Sequence, residues 1–418
     1  MWKRKLFRVL VVSLILLGTF LSSVFSSVTN SASIANTGKI STKQVYAKSG
    51  SSADIQAAVD AVAAAGGGTV YVPAGNFSFH IPPDRYGINN RQAGVIVQGG
   101  VNVIGAGIGQ TILTGIDYAG DCRMFLLDGS NNKPIRISGI SFKGLVVDEN
   151  TNCISGGIDE TGVRDFRIDH CSFEDFAGFG VGTTNNYVHN PTGNCGVIDH
   201  CTFDNPYKAV WEARGDRAMW GYGIIVGGNG QGSWDPDWKQ FFGQYRHDII
   251  YIEDCSFTRC RHCIAGNSQD SAFYVVRFCN LTEMMPRTYG SYVDVHGGSQ
   301  GVEAYGNTVI NSGATDGTGI APRGGFSLIY NNTVKDIPGA GAGIKLVNDQ
   351  SISTYRLNGA WVWNNTFVNV TTPFDTAPNA FPIRENIEYF LRAPTQAQDG
   401  FTYTPYPYPH PLALETTP

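Results

Sequence analysis

One phrase keeps returning along this chain of 418 residues. It reads Ile168-Asp169-His170-Cys171-Ser172-Phe173, then Ile198-Asp199-His200-Cys201-Thr202-Phe203, then Ile252-Glu253-Asp254-Cys255-Ser256-Phe257. Val276-Arg277-Phe278-Cys279-Asn280-Leu281 keeps the cysteine, whereas Tyr305-Gly306-Asn307-Thr308-Val309, Tyr330-Asn331-Asn332-Thr333-Val334 and Trp363-Asn364-Asn365-Thr366-Phe367 put asparagine in its place. The anchors at 171, 201, 255, 279, 307, 332 and 365 are 30, 54, 24, 28, 25 and 33 residues apart. Short alternating strands with Gly or Asn corners at this period specify a solenoid, in which each unit buries its apolar face only against the next. The step of 54 is two ordinary coils, or one carrying an insertion.

The physical reading is a parallel β-helix, an all-β fold in which stacked strands lie about 4.8 Å apart and the anchor position becomes a ladder. An Asn side chain in one coil can meet a backbone group of its neighbour, and Cys does the more apolar version of that task. With 51 glycines and 16% charged residues, the composition suits a long thin core with many turns. The net charge of -5 and the lack of a basic run beyond the N-terminus argue against nucleic acid as a partner. Nine cysteines leave two readings open, disulfides between neighbouring anchors such as Cys171 and Cys201, or stacked buried thiols. Cys260-Arg261-His262-Cys263 contains a C-x-x-C with no second pair after it, which argues against a zinc site.

At the N-terminus, Trp2-Lys3-Arg4-Lys5 precedes an apolar run from Val9 to Leu21 and then small residues. This pattern is that of a secretory signal over residues 1–33, or of a short anchor, so the expected location is secreted or cell-surface and any membrane contact is through this segment. Residues 34–49 read as a linker. Ser52 to Ala65 places Ile55, Ala58, Val59 and Val62 at helical spacing and stops at Gly66-Gly67-Gly68, which predicts a short helix capping the open end of the solenoid.

Asp54-Ile55-Gln56-Ala57-Ala58-Val59-Asp60 followed by Gly67-Gly68-Thr69-Val70-Tyr71-Val72-Pro73-Ala74-Gly75 resembles the entrance of the pectate-lyase-like right-handed parallel β-helix proteins. The resemblance implies a single right-handed β-helix over residues 50–390, with a Pro-rich extended tail over 391–418 lying back along the barrel. It identifies the fold more closely than the reaction, since that superfamily includes lyases, hydrolases, epimerases and tailspikes.

Tyr292-Val293-Asp294-Val295-His296-Gly297-Gly298 is the stretch that carries the most chemistry. If Val293 and Val295 face the core, Asp294 and His296 stand together on the outer face. Alignment through paired glycines sets Arg323 over His296 in the next coil, and Lys345 falls in the column of Asp294 one coil further on. Arg261 and His262 are expected on the coil beneath, with Arg214 and Asp216 on the same flank if the irregular segment 205–247 folds back. Trp234, Trp238 and Tyr245 within that segment, with Tyr292, are candidates for stacking on sugar rings or for packing the loop onto the barrel.

Eliminating across the glycosidic bond of a uronic-acid polymer needs a cation to neutralise the carboxylate and a base to take the adjacent proton. Arg323 or Arg261 would supply the charge, and His296 held by Asp294, or Lys345, the base. No cofactor is required by this pattern, but calcium is a candidate, with Asp294 and Asp216 as ligands or with the acidic column Asp169, Asp199 and Glu253. That column otherwise reads as a solvated face. The expectation is therefore a secreted polysaccharide lyase acting on an acidic polymer. A glycoside hydrolase using Asp294 and Asp216 and a non-catalytic glycan-binding, tailspike-like protein are the alternatives.

Overall fold

A computed structural model describes residues 43–116, 122–144, 156–184, 194–205, 221–227, 249–267, 273–282, 291–296, 301–311, 317–322, 325–346, 357–376 and 389–414, with the strand Ser291–His296 described through its backbone. Among the described residues every strand pairs in parallel with its counterpart in the next coil, building one sheet of twelve strands and another of eighteen. The larger sheet contains two strand rows, which merge where Thr333–Lys345 pairs with Thr366–Asp375. This is the single parallel β-helix that the repeat predicts.

Register explains why the phrase repeats. In the twelve-stranded sheet Ile137, Ile168, Ile198, Ile252, Val276, Ala304, Ile329 and Val362 form one column. Across the interior, Phe142, Phe173, Phe203, Phe257 and Leu281 form another, with ring centroids of consecutive phenylalanines 4.7–5.2 Å apart. Each coil alone would expose these side chains, so the core exists only as a stack. Ile198 pairs directly with Ile252, so the 54-residue step is one coil carrying an insertion.

Between the two columns the chain turns through a left-handed residue, at Gly139, His170, His200, Asp254, Phe278, Gly306, Asn331 and Asn364 in successive coils. The anchor follows it. Asn307, Asn332 and Asn365 each donate Nδ2 to a carbonyl of the preceding coil, of Val276, Ala304 and Ile329, at 2.9 Å. Their Oδ1 atoms accept the backbone N–H of Cys279, Asn307 and Asn332 at 3.0–3.1 Å. Cys201, Cys255 and Cys279 occupy the same position with Sγ 3.5–3.6 Å from the matching carbonyls, a weaker version of the same bond. Cys171, Cys201, Cys255 and Cys279 stack as buried thiols, and among the described residues no disulfide joins two cysteines, which selects the thiol reading for the anchor column. Burial pushes Cys171, Cys201, Cys255 and Cys263 well above the usual thiol range, Cys263 included from the C-x-x-C.

The capping helix spans Ser52–Ala64, with Ser51 accepting from the Asp54 backbone N–H at 3.2 Å and Ile55, Ala58, Val59 and Val62 facing the core. Ahead of it, Gln44–Tyr46 already pairs with Gly68–Tyr71, because the alternation Gln-Val-Tyr turns Val45 onto the core. The solenoid sheet therefore begins inside the segment that composition alone reads as linker.

The outer face of the twelve-stranded sheet corrects the reading of the acidic column. Asp169, Asp199 and Glu253 are fully buried. Arg136 forks onto Asp169 at 2.7 and 2.9 Å, Arg167 onto Asp199 at 3.0 and 3.0 Å, and the wholly buried Arg277 bonds Glu253 through Nε at 2.7 Å. Burial works to raise the Asp169 carboxyl, but the Arg136 fork and the neighbouring Arg167 hold it below the usual range. These carboxylates are saturated with guanidinium donors, so they are neither a solvated face nor a calcium site.

The C-terminal segment closes over this face. Tyr406 and Pro407 carbonyls accept from Arg277 at 2.8 and 2.9 Å, the Leu412 carbonyl accepts from Arg167 at 3.1 Å, and the His410 backbone N–H donates to Glu253 at 2.8 Å. Phe401 sits edge-on to Trp361, and the Tyr403 hydroxyl donates to Glu303 at 2.7 Å. A second apolar cluster outside the solenoid results, including Tyr251, Tyr305, Tyr330, Leu328 and Trp361. The tail does lie along the barrel, but as a fitted strap with helical turns at Gln396–Asp399 and Pro411–Leu414 instead of a plain extended strand.

Candidate functional site

With one outer face sealed by the chain itself, the longer strand row of the eighteen-stranded sheet is the other broad face. Here Ile158, Val181, Ile224, Ile264, Val293, Ile320 and Ile344 form a single register column, and those with described side chains are fully buried. The alternate column runs Leu126, Asp159, Gly182, Ile225, Ala265, Asp294 and Ala321. The backbone thus sets Asp294 one residue off the core column and His296 in register with Asn267. Since Ile320 pairs with Ile344, Lys345 is level with Ala321 and shares the Asp294 column two strands on.

The structure separates some residues that the sequence puts together. His262 lies on the coil beneath, as expected, but pairs with Tyr222; Ile264 pairs with Val293, so two residues back His262 is level with Ser291. It is therefore three positions short of Asp294, roughly 10 Å along the strand at about 3.3 Å per residue. Its ring is buried at 2% exposure and meets the Tyr222 ring edge-on with centroids 4.8 Å apart. Arg261 places its guanidinium 5.9 Å from the centre of the same tyrosine ring. Lys345 is paired with Asp375 at 3.6 Å, both side chains about one-fifth exposed. Arg323, Arg214, Asp216, Trp234, Trp238 and Tyr245 lie outside the described residues, as do the side chains of Tyr292, Asp294 and His296, so the two calcium ligands named from sequence fall there too.

A charged cluster that the sequence reading missed sits at the other end of the Asp294 column. Asp159 is buried and receives Arg91 Nη1 at 2.6 Å and Arg123 Nε at 2.7 Å. The Arg123 guanidinium also lies 5.9 Å from the centre of the Phe179 ring. Next to Asp159, Glu160 is in the inner column and fully buried. Burial pushes its carboxyl up to about 8, against the opposing hydrogen bonds from Asn194 Nδ2 and the Val163 N–H, each 2.6 Å. The signal was an adjacent acidic pair inside Gly156-Gly157-Ile158-Asp159-Glu160-Thr161, where alternation forces one carboxyl inward.

From one end to the other this face offers two guanidiniums on one carboxylate, a Phe179–Tyr222–His262 column, the Asp294 and His296 positions, and an ammonium–carboxylate pair. One register step is about 4.8 Å, close to the length of one sugar residue in an extended chain. Among the described residues no group of three or more His, Cys, Asp or Glu is arranged to hold a metal ion.

No protein-family model matches the chain. It is similar to the mannuronan C5-epimerase AlgE4 of Azotobacter vinelandii, 28% identical over 172 residues that make up 37% of this chain and 27% of that protein. Alginate lyase 7 of the same organism is 31% identical over 105 residues, 25% of this chain and 11% of that protein. The chain therefore spans only about a quarter or less of the length of these relatives. Among solved structures, an alginate lyase from Paenibacillus sp. str. FPU-7 superposes with a TM-score of 0.52 at 14% identity, covering 81% of this chain and 100% of that one. At that identity the likeness speaks for the fold.

Proposed function

From a chain that has the right-handed parallel β-helix fold of the pectate-lyase-like superfamily, we propose an enzyme that acts on a uronic-acid polysaccharide of the alginate type by removing the proton next to the sugar carboxylate. The observation that carries this reading is the sequence similarity to proteins named for mannuronan and alginate; the cations Arg261, beside Tyr222, and Lys345, beside Asp375, on the same strand row support it. Lysis and C5-epimerisation share that first step. They part afterwards: expulsion of the glycosidic oxygen gives β-elimination, and return of a proton to the opposite face gives the epimer.

The proposed reaction is β-elimination. In it the sugar carboxylate is neutralised by Arg323, whose chain position falls level with His296 by the register of the preceding strand, which lowers the cost of carbanion character at the adjacent carbon. Arg261, which lies against Tyr222, is too far along the strand for that role. His296, held by Asp294, takes the proton. Arg91 and Arg123 bind a carboxylate further along the polymer. Epimerisation is the second reading, favoured by the similarity to mannuronan C5-epimerases such as AlgE4. Export is part of the proposal and rests on the N-terminal pattern alone.

The test is a panel of polymannuronate, polyguluronate, pectate and glucuronan. A lyase gives products with the ultraviolet absorbance of an unsaturated uronate; an epimerase gives none but exchanges the C5 hydrogen with solvent deuterium. Neither signal on any polyuronate would refute the reading.

A further inference from the structure

The paired imidazoles at the coil corners are not used by the chemistry above. Asp169 and Asp199 are register partners, so His170 and His200 follow them at the same corner of successive coils. Their backbones continue the ladder, His170 N–H donating to the Asp199 carbonyl and His200 N–H to that of Glu253. The rings stack with centroids 4.9 Å apart and planes 3° from parallel. Each side chain is about half exposed, at 55% and 49%.

The inner edge of each ring is fixed. His170 Nδ1 lies 2.8 Å from Asp169 Oδ2, and His200 Nδ1 lies 2.9 Å from Asp199 Oδ2. Both carboxylates are buried and already forked by arginine, Asp169 by Arg136 and Asp199 by Arg167, so they act as acceptors and the geometry assigns the ring proton to Nδ1. The lone pair is then on Nε2, on the opposite edge of each ring. Because the stack is parallel and both Nδ1 edges face inward, both Nε2 lone pairs leave the same strip of surface side by side.

An imidazole whose far nitrogen is bonded to a carboxylate is the arrangement that orients and strengthens a histidine ligand. The corner itself does not require imidazole, since Asp254, Phe278, Asn331 and Asn364 make the same left-handed turn in later coils. We propose that His170 and His200 form a surface site for a borderline divalent transition-metal ion such as Cu(II), Ni(II) or Zn(II), bound through the two Nε2 atoms. Imidazole suits these ions, and water completes the coordination, as the described residues supply no cluster of three ligands. Ligand bonds of about 2.0–2.1 Å require the two nitrogens to approach to roughly 3–4 Å, so the rings must tilt toward each other about their Nδ1 edges, closing the outer edges by about 1–2 Å on binding. Half-exposed side chains have that freedom.

The test is titration of the untagged, chelator-stripped full chain with Cu(II), read by calorimetry and by electron paramagnetic resonance. The expected result is one tight equivalent whose spectrum carries two nitrogen donors. His170→Gln and His200→Gln should each weaken it about tenfold or more, because losing either donor removes the intramolecular second contact, and the double variant, with neither donor left, should bind more weakly than either single one. His80→Gln, at an exposed histidine on another coil, should change nothing. Wild-type binding through one nitrogen only, no stoichiometric binding, or unchanged affinity in both single variants would overturn the proposal. Unfolding midpoints of the variants, expected to match wild type, separate loss of a ligand from loss of fold.

Discussion

The two broad outer faces of this solenoid use the same residue types for opposite ends. On the twelve-stranded face, arginine and carboxylate columns are sealed beneath residues 389–414, with the described ladder charges Arg167, Glu253, Arg277 and Glu303 met by strap carbonyls, a strap N–H and the Tyr403 hydroxyl. On the eighteen-stranded face the charges stand in separate groups, at Asp159 with Arg91 and Arg123, and at Lys345 with Asp375. An ion pair buried under its own chain is committed to holding that chain in place. On the other face the outer members of each group, Arg91 at 22% and Lys345 and Asp375 at about one-fifth, stay partly open to solvent. Residue type alone does not distinguish the two roles; what covers the residue does.

The largest effect that would break this contrast comes from the sealed face. Arg277→Ala leaves Glu253 buried without its guanidinium and strands the Tyr406 and Pro407 carbonyls, so unfolding free energy should fall by about 3–5 kcal/mol. Denaturant unfolding checks this. Arg91→Ala on the other face should leave the unfolding midpoint nearly unchanged while raising KM for a polyuronate, because its side chain is 22% exposed and Asp159 keeps Arg123. Equal destabilisation by the two substitutions would erase the distinction.

Glu160, behind the Asp159 cluster, gives a pH signature. Its carboxyl is raised to about 8 in the folded chain, against an ordinary value of 4.5, so the native state holds the proton more tightly than the unfolded state. Its contribution is fully present below about 4.5 and is lost as pH rises through about 8. Glu160→Gln should therefore be more stable than wild type at pH 9, by the order of a few kcal/mol, and close to it at pH 5. Asn194 Oδ1, buried with no partner, can accept from the new amide once its own amide is turned. Thermal midpoints against pH decide it.

The smallest effects lie along the anchor ladder. Asn332→Ala removes bonds to the Ala304 carbonyl and to Asn365 Oδ1 and deprives the Asn307 N–H of its acceptor, for a cost of about 1–3 kcal/mol. Cys255→Ala loses a weak S–H bond and some volume, and should cost about 1 kcal/mol. If the cysteine mattered as much as the asparagine, the thiol column would have a task beyond packing.

The coil repeat, the capping helix and the asparagine ladder were legible because each is written in local spacing. The acidic column was misread for a specific reason. Alternation correctly turns Asp169, Asp199 and Glu253 away from the core, but outward is not the same as solvated when residues 406–412 return to cover them. The partner of Arg277 lies 130 residues further on at Pro407, beyond any local pattern. His262 was placed on the right coil and three positions from where the site needed it, since register depends on the turn that precedes the strand. Asp159 and Glu160 were overlooked because a two-residue acidic step looks like surface until the neighbouring coils show Leu126 and Leu127 at the same level.

The central claim, that the strand Ser291–His296 carries the proton-removing centre, is met most directly by incubating wild type and His296→Ala with polymannuronate in deuterated water. The account predicts unsaturated uronate ends from wild type, or C5 deuterium if the reaction is epimerisation, and loss of either signal in the variant with its unfolding midpoint unchanged. A variant that eliminates or exchanges at the wild-type rate would contradict it.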